Sequence, residues 1–378
     1  MQVAQVILRS TTNVPGELAS LVALQPNLVL VFGAVDLLKG AAPALASAFP
    51  DARRVGCSTA GEISAEGVAD GTCVVTAVRF DKTTLTEAST RLSGMEDSFD
   101  AGRRLGDQLP KEGLRAVLIF GQGVQINGSA LLAGMSDVLG SELPITGGLA
   151  GDGGAFQQTW VLDDAGAASD TIVALGLYGE SLNFCHGSFG GWSPFGPARK
   201  VTRCVGNVLY ELDGEPALEV YKRYLGDHAK GLPASGLLFP FAMLGKDHDE
   251  VGLIRTILGV DDENGSLTLA GEIDPDGYLK LMHASTDALV DGAEAAAEAA
   301  KKMLAGTGKG LVLLVSCVGR KLVMGGRVDE EVEAVAGVFG QSALLTGFYS
   351  YGEISPFSPG VACKLHNQTM TVTYLGED

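Results

Sequence analysis

Two nearly identical phrases, GCSTAGEIS at residues 56–64 and GFYSYGEIS at residues 347–355, stand near opposite ends of this chain of 378 residues. Each follows the same succession of a short apolar run, a helical stretch and a turn-rich edge. The apolar runs of the two phrases are LVLVFGA from Leu28 and LVLLVSCVG from Leu311. A weaker third copy begins with AVLIFGQGV from Ala116 and leads to LPITGGLAGD, which ends at Asp152. Self-similarity of this kind predicts one supersecondary unit used at least three times. A further Gly-Glu-Ile at residues 271–273 lacks the preceding phrase, and we interpret it as coincidence.

The three apolar runs are short, rich in β-branched residues and bounded by turn residues, which is typical of central strands covered on both faces. Helical patterns follow them, and alternating segments that begin at Gly71, Thr171 and His366 indicate strands with one exposed face. The sequence therefore predicts an α/β fold with mixed sheets built from repeated strand-helix-strand units. The strongest helix signal runs from Asp287, which is predicted to cap its N-terminus, to a C-terminal cap at Gly306.

Composition favours a compact globular protein and argues against several partners. The chain has 46% hydrophobic and 19% charged residues and is long enough for two domains with ordinary cores. Its formal net charge of −18 opposes binding to nucleic acid or acidic membranes, because phosphate neutralisation drives most such binding. We find neither a secretory leader nor an apolar run long enough to span a bilayer, so we expect a cytoplasmic protein. Its six cysteines include no Cys-x-x-Cys pair and are expected to be reduced.

Sequence signatures of catalysis are missing. GQGVQINGS from Gly121 lacks the lysine of a phosphate-binding loop, and no His-Glu-x-x-His string occurs. GDGG from Gly151 is too short for a dinucleotide turn, and GCSTAG does not have the glycine spacing of a nucleophile elbow. We therefore expect no enzyme. An enzyme acting through Cys57 or a glutamate is the weakest of three alternatives, because no base is paired with a nucleophile.

The repeated phrases supply a first set of candidate ligand-binding residues: Cys57, Ser58, Thr59, Glu62, Tyr349, Tyr351 and Glu353. Glu62 and Glu353 occupy equivalent places, where a carboxylate accepts backbone N–H bonds or meets the cation of a ligand. Small polar groups near the carboxyl end of a strand lie where α/β sheets commonly bind ligands. The alternative is that each glutamate only holds its own turn, and both interpretations stay open.

A second set of candidates points to haem: His186, Trp192, Phe195 and Arg199. Apolar planar walls, one imidazole and cationic partners for carboxylates are what a non-covalently held haem requires, with His186 as the iron ligand. Covalent attachment is excluded because no Cys-x-x-Cys-His string exists. The alternative is a packed or turn-stabilising histidine within a long ordered loop from His186 to Lys200. His283 and His366 are rival ligands, and the thiolate of Cys185 is chemically able to compete.

In these motifs the chain resembles FIST-domain proteins, a family of bacterial intracellular sensors with an N-terminal and a C-terminal FIST part. The resemblance runs from Leu28 to Tyr374. It rests on GCSTAGEI, on ELDGEPALEVYKRYLG from Glu211, on SCVGRKLVMGGRVDEEVE from Ser316, and on GFYSYGEISP with the later LHNQT from Leu365. It implies two FIST parts packed together, for which we predict boundaries of 1–212 and 213–378.

The resemblance also implies function. FIST proteins sense small ligands, with amino acids or their derivatives as proposed ligands, and pass the signal to a partner. The string HGSFGGWSPFGPARKVTR is similar to a branch that binds haem, senses nitric oxide and regulates histidine kinases or cyclic-di-GMP enzymes. This similarity implies non-covalent haem b at His186 and a separate signalling protein as partner. A haem-free binding module for an amino acid or related metabolite is the alternative, and a homodimer stays open.

Overall fold

Three central strands organise the computed structural model of the chain, which describes residues 1–304, 310–357 and 360–378. They are the predicted apolar runs, at Leu28–Gly33, Leu114–Gly121 and Gly310–Cys317. Nearly every residue of these strands is buried, because each strand has a parallel neighbour on one side and an antiparallel neighbour on the other. The predicted mixed α/β fold is confirmed.

Unit 1 spans residues 2–79 and follows the predicted strand-helix-strand succession. Its elements are β1 (Gln2–Leu8), α1 (Val14–Val22), β2 (Leu28–Gly33), α2 (Val35–Ala48), β3 (Arg53–Ser58), β4 (Glu62–Ser64), β5 (Gly67–Ala69) and β6 (Cys73–Arg79). The strands β1, β6, β2 and β3 lie in that order in one sheet. The helices α1 and α2 pack on one face of this sheet around an apolar cluster that includes Leu18 and Leu45. The opposite face points to the centre of the molecule.

Unit 2 spans residues 84–178 and repeats the order of unit 1. Its elements are β7 (Thr84–Arg91), α3 (Ser98–Gln108), β8 (Leu114–Gly121), α4 (Gly128–Leu139), β9 (Ile145–Leu149), β10 (Val161–Asp163), β11 (Gly166–Ala168) and β12 (Thr171–Tyr178). Its strands β7, β12, β8 and β9 have the same order in their sheet as the corresponding strands of unit 1. The weak relative seen in the sequence is therefore a full copy of the unit.

A third unit opens with β13 (Leu182–Phe189), and the chain then leaves it for an insert of residues 190–284. The elements of the insert are β14 (Ser193–Pro194), β15 (Arg199–Val205), β16 (Val208–Leu212), β17 (Glu215–Pro216), α5 (Ala217–Leu225), β18 (Phe241–Leu244), β19 (Glu250–Arg255), β20 (Ile257–Asp261), β21 (Ser266–Leu269) and β22 (Tyr278–His283). They form an antiparallel sheet with its own apolar core around Leu209, Tyr221 and Phe241.

The third unit resumes after the insert and repeats the pattern once more. Its remaining elements are α6 (Thr286–Met303), β23 (Gly310–Cys317), α7 (Val318–Met324), α8 (Asp329–Phe339), β24 (Ala343–Ser350), β25 (Gly352–Ser355), β26 (Lys364–His366) and β27 (Met370–Glu377). The sheet order β13, β27, β23, β24 matches the order in units 1 and 2. Unit 3 thus comprises residues 182–189 and 286–377.

The three units are joined by a cyclic exchange of β-hairpins. The β10–β11 hairpin of unit 2 extends the sheet of unit 1 at β3. The β25–β26 hairpin of unit 3 extends the sheet of unit 2 at β9, and the β4–β5 hairpin of unit 1 extends the sheet of unit 3 at β24. Each sheet is therefore completed by one neighbouring unit, so no unit has its full sheet on its own.

Glycine marks the same position in all three units. An added Cβ would lie within 2 Å of the carbonyl oxygen of the paired residue on the adjacent parallel strand at Gly56 (Val31, 1.8 Å), Gly147 (Ile119, 1.9 Å) and Gly347 (Leu314, 1.9 Å). Only a residue without Cβ permits this approach of two backbones. This constraint accounts for the first glycine of each repeated phrase.

The inner faces of the three sheets meet in one apolar core. At its centre the Phe32 and Phe348 rings stack with centroids 4.7 Å apart, and the Phe120 ring meets Phe32 edge-on at 5.4 Å. The three rings come from three different units and are fully buried. The core is therefore built jointly by the repeats, which fits the exchange of their hairpins.

The structure departs from the sequence predictions at the start of helix α6 and at the predicted loop from His186. Ser285, and not Asp287, caps α6, because its side chain accepts a hydrogen bond from the Ala288 N–H. The C-terminal cap predicted at Gly306 lies outside the described residues. The segment predicted as a loop from His186 begins inside β13, since Leu182–Phe189 pairs with β27. The predicted boundary at Leu212 falls at the last residue of β16, and the division into 1–212 and 213–378 stays a prediction.

None of the helices in the described part of the chain is both long enough and apolar enough to cross a membrane. The helices instead bury one face each against a sheet. In α6, for example, the buried positions are mostly alanine and glycine, which allow close packing on β13.

Candidate functional site

The two repeated phrases meet, because the hairpin of unit 1 pairs with β24 of unit 3. Gly347 lies opposite Ile63, and Phe348 lies opposite Glu62 in the antiparallel ladder. The Tyr349 N–H donates to the Gly61 carbonyl at 2.8 Å, which continues the ladder. The contact between the two phrases is thus a backbone junction between two units.

Glu62 and Glu353 hold their own turns with matching hydrogen bonds. The Thr72 N–H and hydroxyl both donate to Glu62 Oε2 at 2.9 Å, and the Thr59 hydroxyl donates to Oε1. The Thr369 N–H and hydroxyl both donate to Glu353 Oε2 at 3.1 Å, and the Ser350 hydroxyl bonds Oε1 at 2.7 Å. This geometry is the turn-holding alternative that the sequence left open.

Both glutamates are enclosed. Glu62 is 2% exposed and Glu353 is fully buried. Burial raises the pKa of Glu353 to about 8 and also raises the pKa of Glu62, with the hydrogen bonds acting against this effect. Neither glutamate is among the residues that line the cavities described below.

The other phrase residues are also mostly committed to the fold. Cys57 is completely buried, and burial raises the pKa of its thiol well above the ordinary value, which disfavours the thiolate form that a nucleophile requires. The Ser58 hydroxyl donates to the Gly151 carbonyl at 2.6 Å and accepts from the Trp160 N–H at 2.8 Å. These bonds join the phrase of unit 1 to the connection between β9 and β10 of unit 2.

The two tyrosines differ in exposure. The Tyr349 hydroxyl donates to Glu331 Oε1 at 2.7 Å within a buried group in which Arg320 forms an ion pair with Glu331 at 2.8 Å. Tyr351 donates to Asp152 and stacks on the Phe156 ring at 4.1 Å. Of the seven phrase residues, Tyr351 alone lines one of the cavities described below.

His186 lies inside the sheet of unit 3. It pairs with Thr373 of β27, which pairs with Leu313. In the same register, Gln5 of unit 1 pairs with Thr76, and Glu87 of unit 2 pairs with Leu175. His186 therefore occupies the position that Gln5 and Glu87 occupy in their units. It is 4% exposed, and burial lowers its pKa.

The role of this position is visible in unit 1. Gln5 Nε2 donates to the Thr76 hydroxyl and to the Leu345 carbonyl of unit 3, both at 3.0 Å, and so links two units. At the equivalent place His186 Nδ1 is buried without a hydrogen-bond partner among the described residues. This is the packed histidine that the sequence left as an alternative.

The other haem candidates do not converge on His186. Trp192 Nε1 donates to the Gln368 carbonyl at 2.7 Å, and Phe195 packs edge-on against His283. Arg199 is occupied by an ion pair with Asp213 at 3.0 Å. Phe195 and Arg199 line a cavity of about 10 Å³, which no porphyrin enters. The residues present therefore do not fit a haem group.

No group of three or more histidine, cysteine, aspartate or glutamate side chains within the described ranges is arranged to hold a metal ion. The rival ligand His366 is 1% exposed, and its Nε2 lies 2.7 Å from the Ser355 carbonyl oxygen. Burial lowers the pKa of His366 to about 4. Cys185 is buried, and burial raises the pKa of its thiol to about 11.

A cleft lies where the insert meets units 2 and 3. It has a larger cavity of 510 Å³, bounded by α4, the strands β18 and β19, residues 272–275 and residues 362–365. A smaller cavity of 270 Å³ is bounded by residues 123–128, 206–207 and 269–272 together with Tyr351 and Asn367. Glu272 and Leu365 line both cavities, so the two are adjacent chambers of one cleft.

A hydrogen bond closes the wall between the chambers. Asn127 caps α4 by accepting from the Ala130 N–H at 3.0 Å, and its Nδ2 donates to Glu272 Oε1 at 3.1 Å. The first bond fixes the side chain at the start of the helix. The second connects unit 2 to the insert.

Two buried polar side chains face the chambers. Asn367, 2% exposed, lines the smaller chamber, and its amide oxygen has no hydrogen-bond partner among the described residues. Arg255, 3% exposed, lines the larger chamber. Its Nε donates to the Glu272 carbonyl at 3.1 Å, and burial lowers its pKa to about 10. A cleft with one cation in its larger chamber and one unpartnered amide in its smaller chamber is able to bind a small polar molecule.

A wider groove of 1150 Å³ lies between β1, the β4–β5 hairpin, α8 and β24. None of the buried polar atoms that lack a partner in the described part of the chain belongs to a residue of this groove. The cleft of the insert is therefore the better candidate despite its smaller volume.

Sequence reasoning did not select the cleft residues, although three of the four lie in strings already noticed. Glu272 belongs to the Gly-Glu-Ile at residues 271–273 that we interpreted as coincidence, and Asn367 belongs to LHNQT. Asn127 belongs to GQGVQINGS, which was tested only as a phosphate loop. Arg255 carries no local sequence signal.

Weak relatives are found among solved structures and among curated proteins. A cyanuric acid hydrolase from A. caulinodans aligns over 100% of this chain and 99% of its own, with a TM-score of 0.34 and 11% identity. An uncharacterized protein of Methanocaldococcus jannaschii is 38% identical over 96 residues. That match covers 25% of this chain and 19% of the relative's length.

Comparison with family models is decisive. The FIST N domain matches residues 27–215, and the FIST C domain matches residues 217–356. FIST domains are associated with signal transduction and the sensing of small ligands. These matches do not reach the haem-binding branch that the string from His186 resembles. They cover most of the chain, which therefore belongs to the FIST family.

Proposed function

We propose that this protein is a sensor whose small ligand occupies the two-chambered cleft between the insert and units 2 and 3. The ligand is a metabolite of the size of an amino acid, and haem is not required. The chambers, of 510 and 270 Å³, are close to the range of about 300 to 1,000 Å³ that is usual for ligand sites.

The buried amide oxygen of Asn367 carries this proposal. A polar atom removed from water without a hydrogen bond costs about 1 to 3 kcal/mol, so folding alone does not favour an asparagine here. A ligand that donates a hydrogen bond to this oxygen removes the cost. Asn367 lines the smaller chamber and its amide oxygen is enclosed, so a donor in the cleft would reach this oxygen after a rotation of the side chain.

The position of the cleft supports a signalling role. One wall belongs to the insert and the other to the three-unit body, so a ligand that contacts both walls changes how firmly they are held together. The output to a separate protein, such as a histidine kinase or a cyclic-di-GMP enzyme, stays a prediction, as does the cytoplasmic location. Haem ligation by His186 also stays a prediction, and the packing of His186 gives it no support.

Thermal unfolding with a metabolite panel tests the proposal. A compound that binds the folded protein raises its melting temperature in a dose-dependent way. In Asn367→Leu, a side chain of similar size has no polar atom to satisfy, so we expect the unliganded protein to be as stable as the wild type or more stable. The same variant loses the response to the ligand.

The matched control is Asn207→Leu, which changes the same residue type in the same chamber. Asn207 Nδ2 donates to the Leu269 carbonyl at 2.9 Å, so its removal lowers the free energy of unfolding by about 1 kcal/mol. Two results contradict the proposal: full retention of the ligand response in Asn367→Leu, or a loss of stability in Asn367→Leu similar to that of the control.

A further inference from the structure

Resting on the proposed function, we infer that the ligand carries a carboxylate and that Arg255, in the larger chamber, binds it.

The Arg255 guanidinium is a buried positive charge that forms no ion pair within the described residues, and the Glu272 carboxylate offsets only part of the effect of burial on its pKa. The guanidinium donates to the carbonyl oxygens of Glu272 at 3.1 Å, Ile254 at 3.2 Å and Leu365 at 3.5 Å. All three acceptors are neutral, and no ion pair with Arg255 forms among the described residues. Buried charges in proteins are normally paired, because desolvation of an isolated charge is costly.

Nitrogens of the guanidinium remain available to the chamber. Within the described residues, the Arg255 Nε and Nη1 atoms donate hydrogen bonds, whereas Nη2 donates none. No guanidinium nitrogen of Arg255 is among the fully enclosed atoms that lack a partner, so the free Nη2 faces open space. The chamber of 510 Å³ that Arg255 lines supplies that space. A guanidinium group matches a carboxylate in shape and charge.

The other charges of the larger chamber lie at its rim. Glu272, Asp274 and Lys364 line the chamber but are exposed, so water screens them. The buried end is thus cationic, and the rim carries acidic groups together with one lysine. A molecule with a carboxylate at one end and an amine or hydroxyl donor at the other fits this arrangement.

A purely structural role for Arg255 is the competing account. Its carbonyl bonds connect the insert to β26, and this connection alone stabilises the cleft. The two accounts differ in what a neutral ligand does. If the role of Arg255 is only structural, the protein does not distinguish a ligand with a carboxylate from one with a carboxamide. If Arg255 is an anion site, the ligand with the carboxylate binds more tightly.

The experiment uses the full chain and matched pairs of probes: amino acids and small dicarboxylic acids, each beside its amide. Affinities are measured by isothermal titration and by shifts in melting temperature. We expect acids to bind and amides to bind at least tenfold more weakly. In Arg255→Gln the affinity for acids falls about 10- to 100-fold, as charge-assisted hydrogen bonds predict, and the preference over amides disappears.

Two further variants keep the result interpretable. Arg255→Lys retains the charge, so it should retain part of the preference for acids even where Arg255→Gln folds poorly. Arg203→Gln removes an exposed arginine of the insert that pairs with Glu211, and it should leave both affinities unchanged.

The outcomes separate this inference from the proposed function. Equal binding of acids and amides, unaffected by Arg255→Gln, overturns the anion site and leaves the cleft as a ligand site. Absence of binding by any probe counts against both. Binding of acids that survives Arg255→Gln and fails in Asn367→Leu places the ligand in the smaller chamber and overturns the role of Arg255.

Discussion

Gly271 and Arg255 are in such close contact that a side chain at position 271 would displace the guanidinium group. A Cβ on Gly271 would lie 2.8 Å from Arg255 Nε and 2.9 Å from its Cζ. Gly271 also has a φ angle of +130°, a conformation that residues with a side chain rarely adopt. The Gly-Glu-Ile at residues 271–273 therefore has a reason of its own, since its glycine makes room for the guanidinium group and its glutamate accepts a hydrogen bond from Asn127.

Gly271→Ala should displace Arg255 and lower the affinity for a carboxylate ligand. We expect a loss of about 2 to 4 kcal/mol in the free energy of unfolding, because backbone strain and a steric clash act together. Gly214→Ala is the matched control, since Gly214 has a φ angle of +80° and an added Cβ meets nothing within 4 Å. The control should lose only about 1 kcal/mol. Equal losses in urea unfolding of the two variants would refute the contact with Arg255.

Glu353→Gln should change how stability depends on pH. The pKa of Glu353 is raised from 4.5 to about 8 in the folded protein, so its contribution to stability is complete below pH 4.5 and is lost as the pH rises through 8. Glutamine has no proton to lose. The variant should match the wild type near pH 5 and exceed its free energy of unfolding by a few kcal/mol near pH 9.

Chemical denaturation between pH 5 and pH 9 measures this difference, and other titrating groups cancel because both proteins contain them. Glu17→Gln, at an exposed position of α1, should follow the wild type over the whole range. If the curve of Glu353→Gln also stayed parallel to the wild type, the buried carboxyl group would be ionised at neutral pH and the raised pKa would be incorrect.

The repeats could be predicted from the sequence because their constraint is local. Gly56 and Gly347 must be glycine for the same steric reason, and the apolar runs need only their own composition to indicate buried strands. The exchange of hairpins could not be predicted, since the partner of a three-residue strand such as Glu62–Ser64 is chosen by contacts far away in the chain.

The cleft was beyond prediction for a related reason. Arg255, Asn367 and Asn127 belong to three segments that meet only after the insert has packed on the body, and Arg255 differs from an ordinary strand residue only in its surroundings. His186 shows a different limit of sequence reasoning. Its aromatic neighbours in sequence suggested a haem pocket, but strand pairing sends Trp192 and Phe195 to other parts of the molecule.

Gly347→Ala should prevent stable folding, because its Cβ would lie 1.9 Å from the Leu314 carbonyl oxygen on the central strand. Backbone atoms cannot move aside as the end of a side chain does, so we expect a loss of more than about 3 kcal/mol. Gly337→Ala is the control. Gly337 is exposed in α8, and nothing lies within 4 Å of the added Cβ. The change should raise the free energy of unfolding by about 0.5 to 1 kcal/mol, because alanine favours the helix more than glycine does. Thermal unfolding of a folded, fully stable Gly347→Ala would contradict the close strand approach.

His186→Gln should be tolerated, because glutamine already occupies the equivalent place at Gln5. There it donates to the Thr76 hydroxyl and to the Leu345 carbonyl, and Thr373, which pairs with His186, offers a hydroxyl at the place of Thr76. We expect the free energy of unfolding to stay within about 0.5 kcal/mol of the wild type or to rise. Titration with haemin should give the same spectrum for both proteins. A saturable Soret band in the wild type that disappears in His186→Gln would restore the haem prediction.

Asn127→Asp should loosen the wall between the two chambers of the cleft. Aspartate caps a helix as well as asparagine does, so α4 keeps its start, but a second carboxylate then faces Glu272 where Nδ2 now donates at 3.1 Å. Hydrogen exchange of residues 269–274 should become about five- to tenfold faster, corresponding to roughly 1 kcal/mol. Adding Glu272→Gln supplies a new donor to the aspartate and should restore slow exchange. If the double variant exchanged as fast as Asn127→Asp alone, the two side chains would not be coupled, and the chambers would be held apart by packing around Leu365 instead.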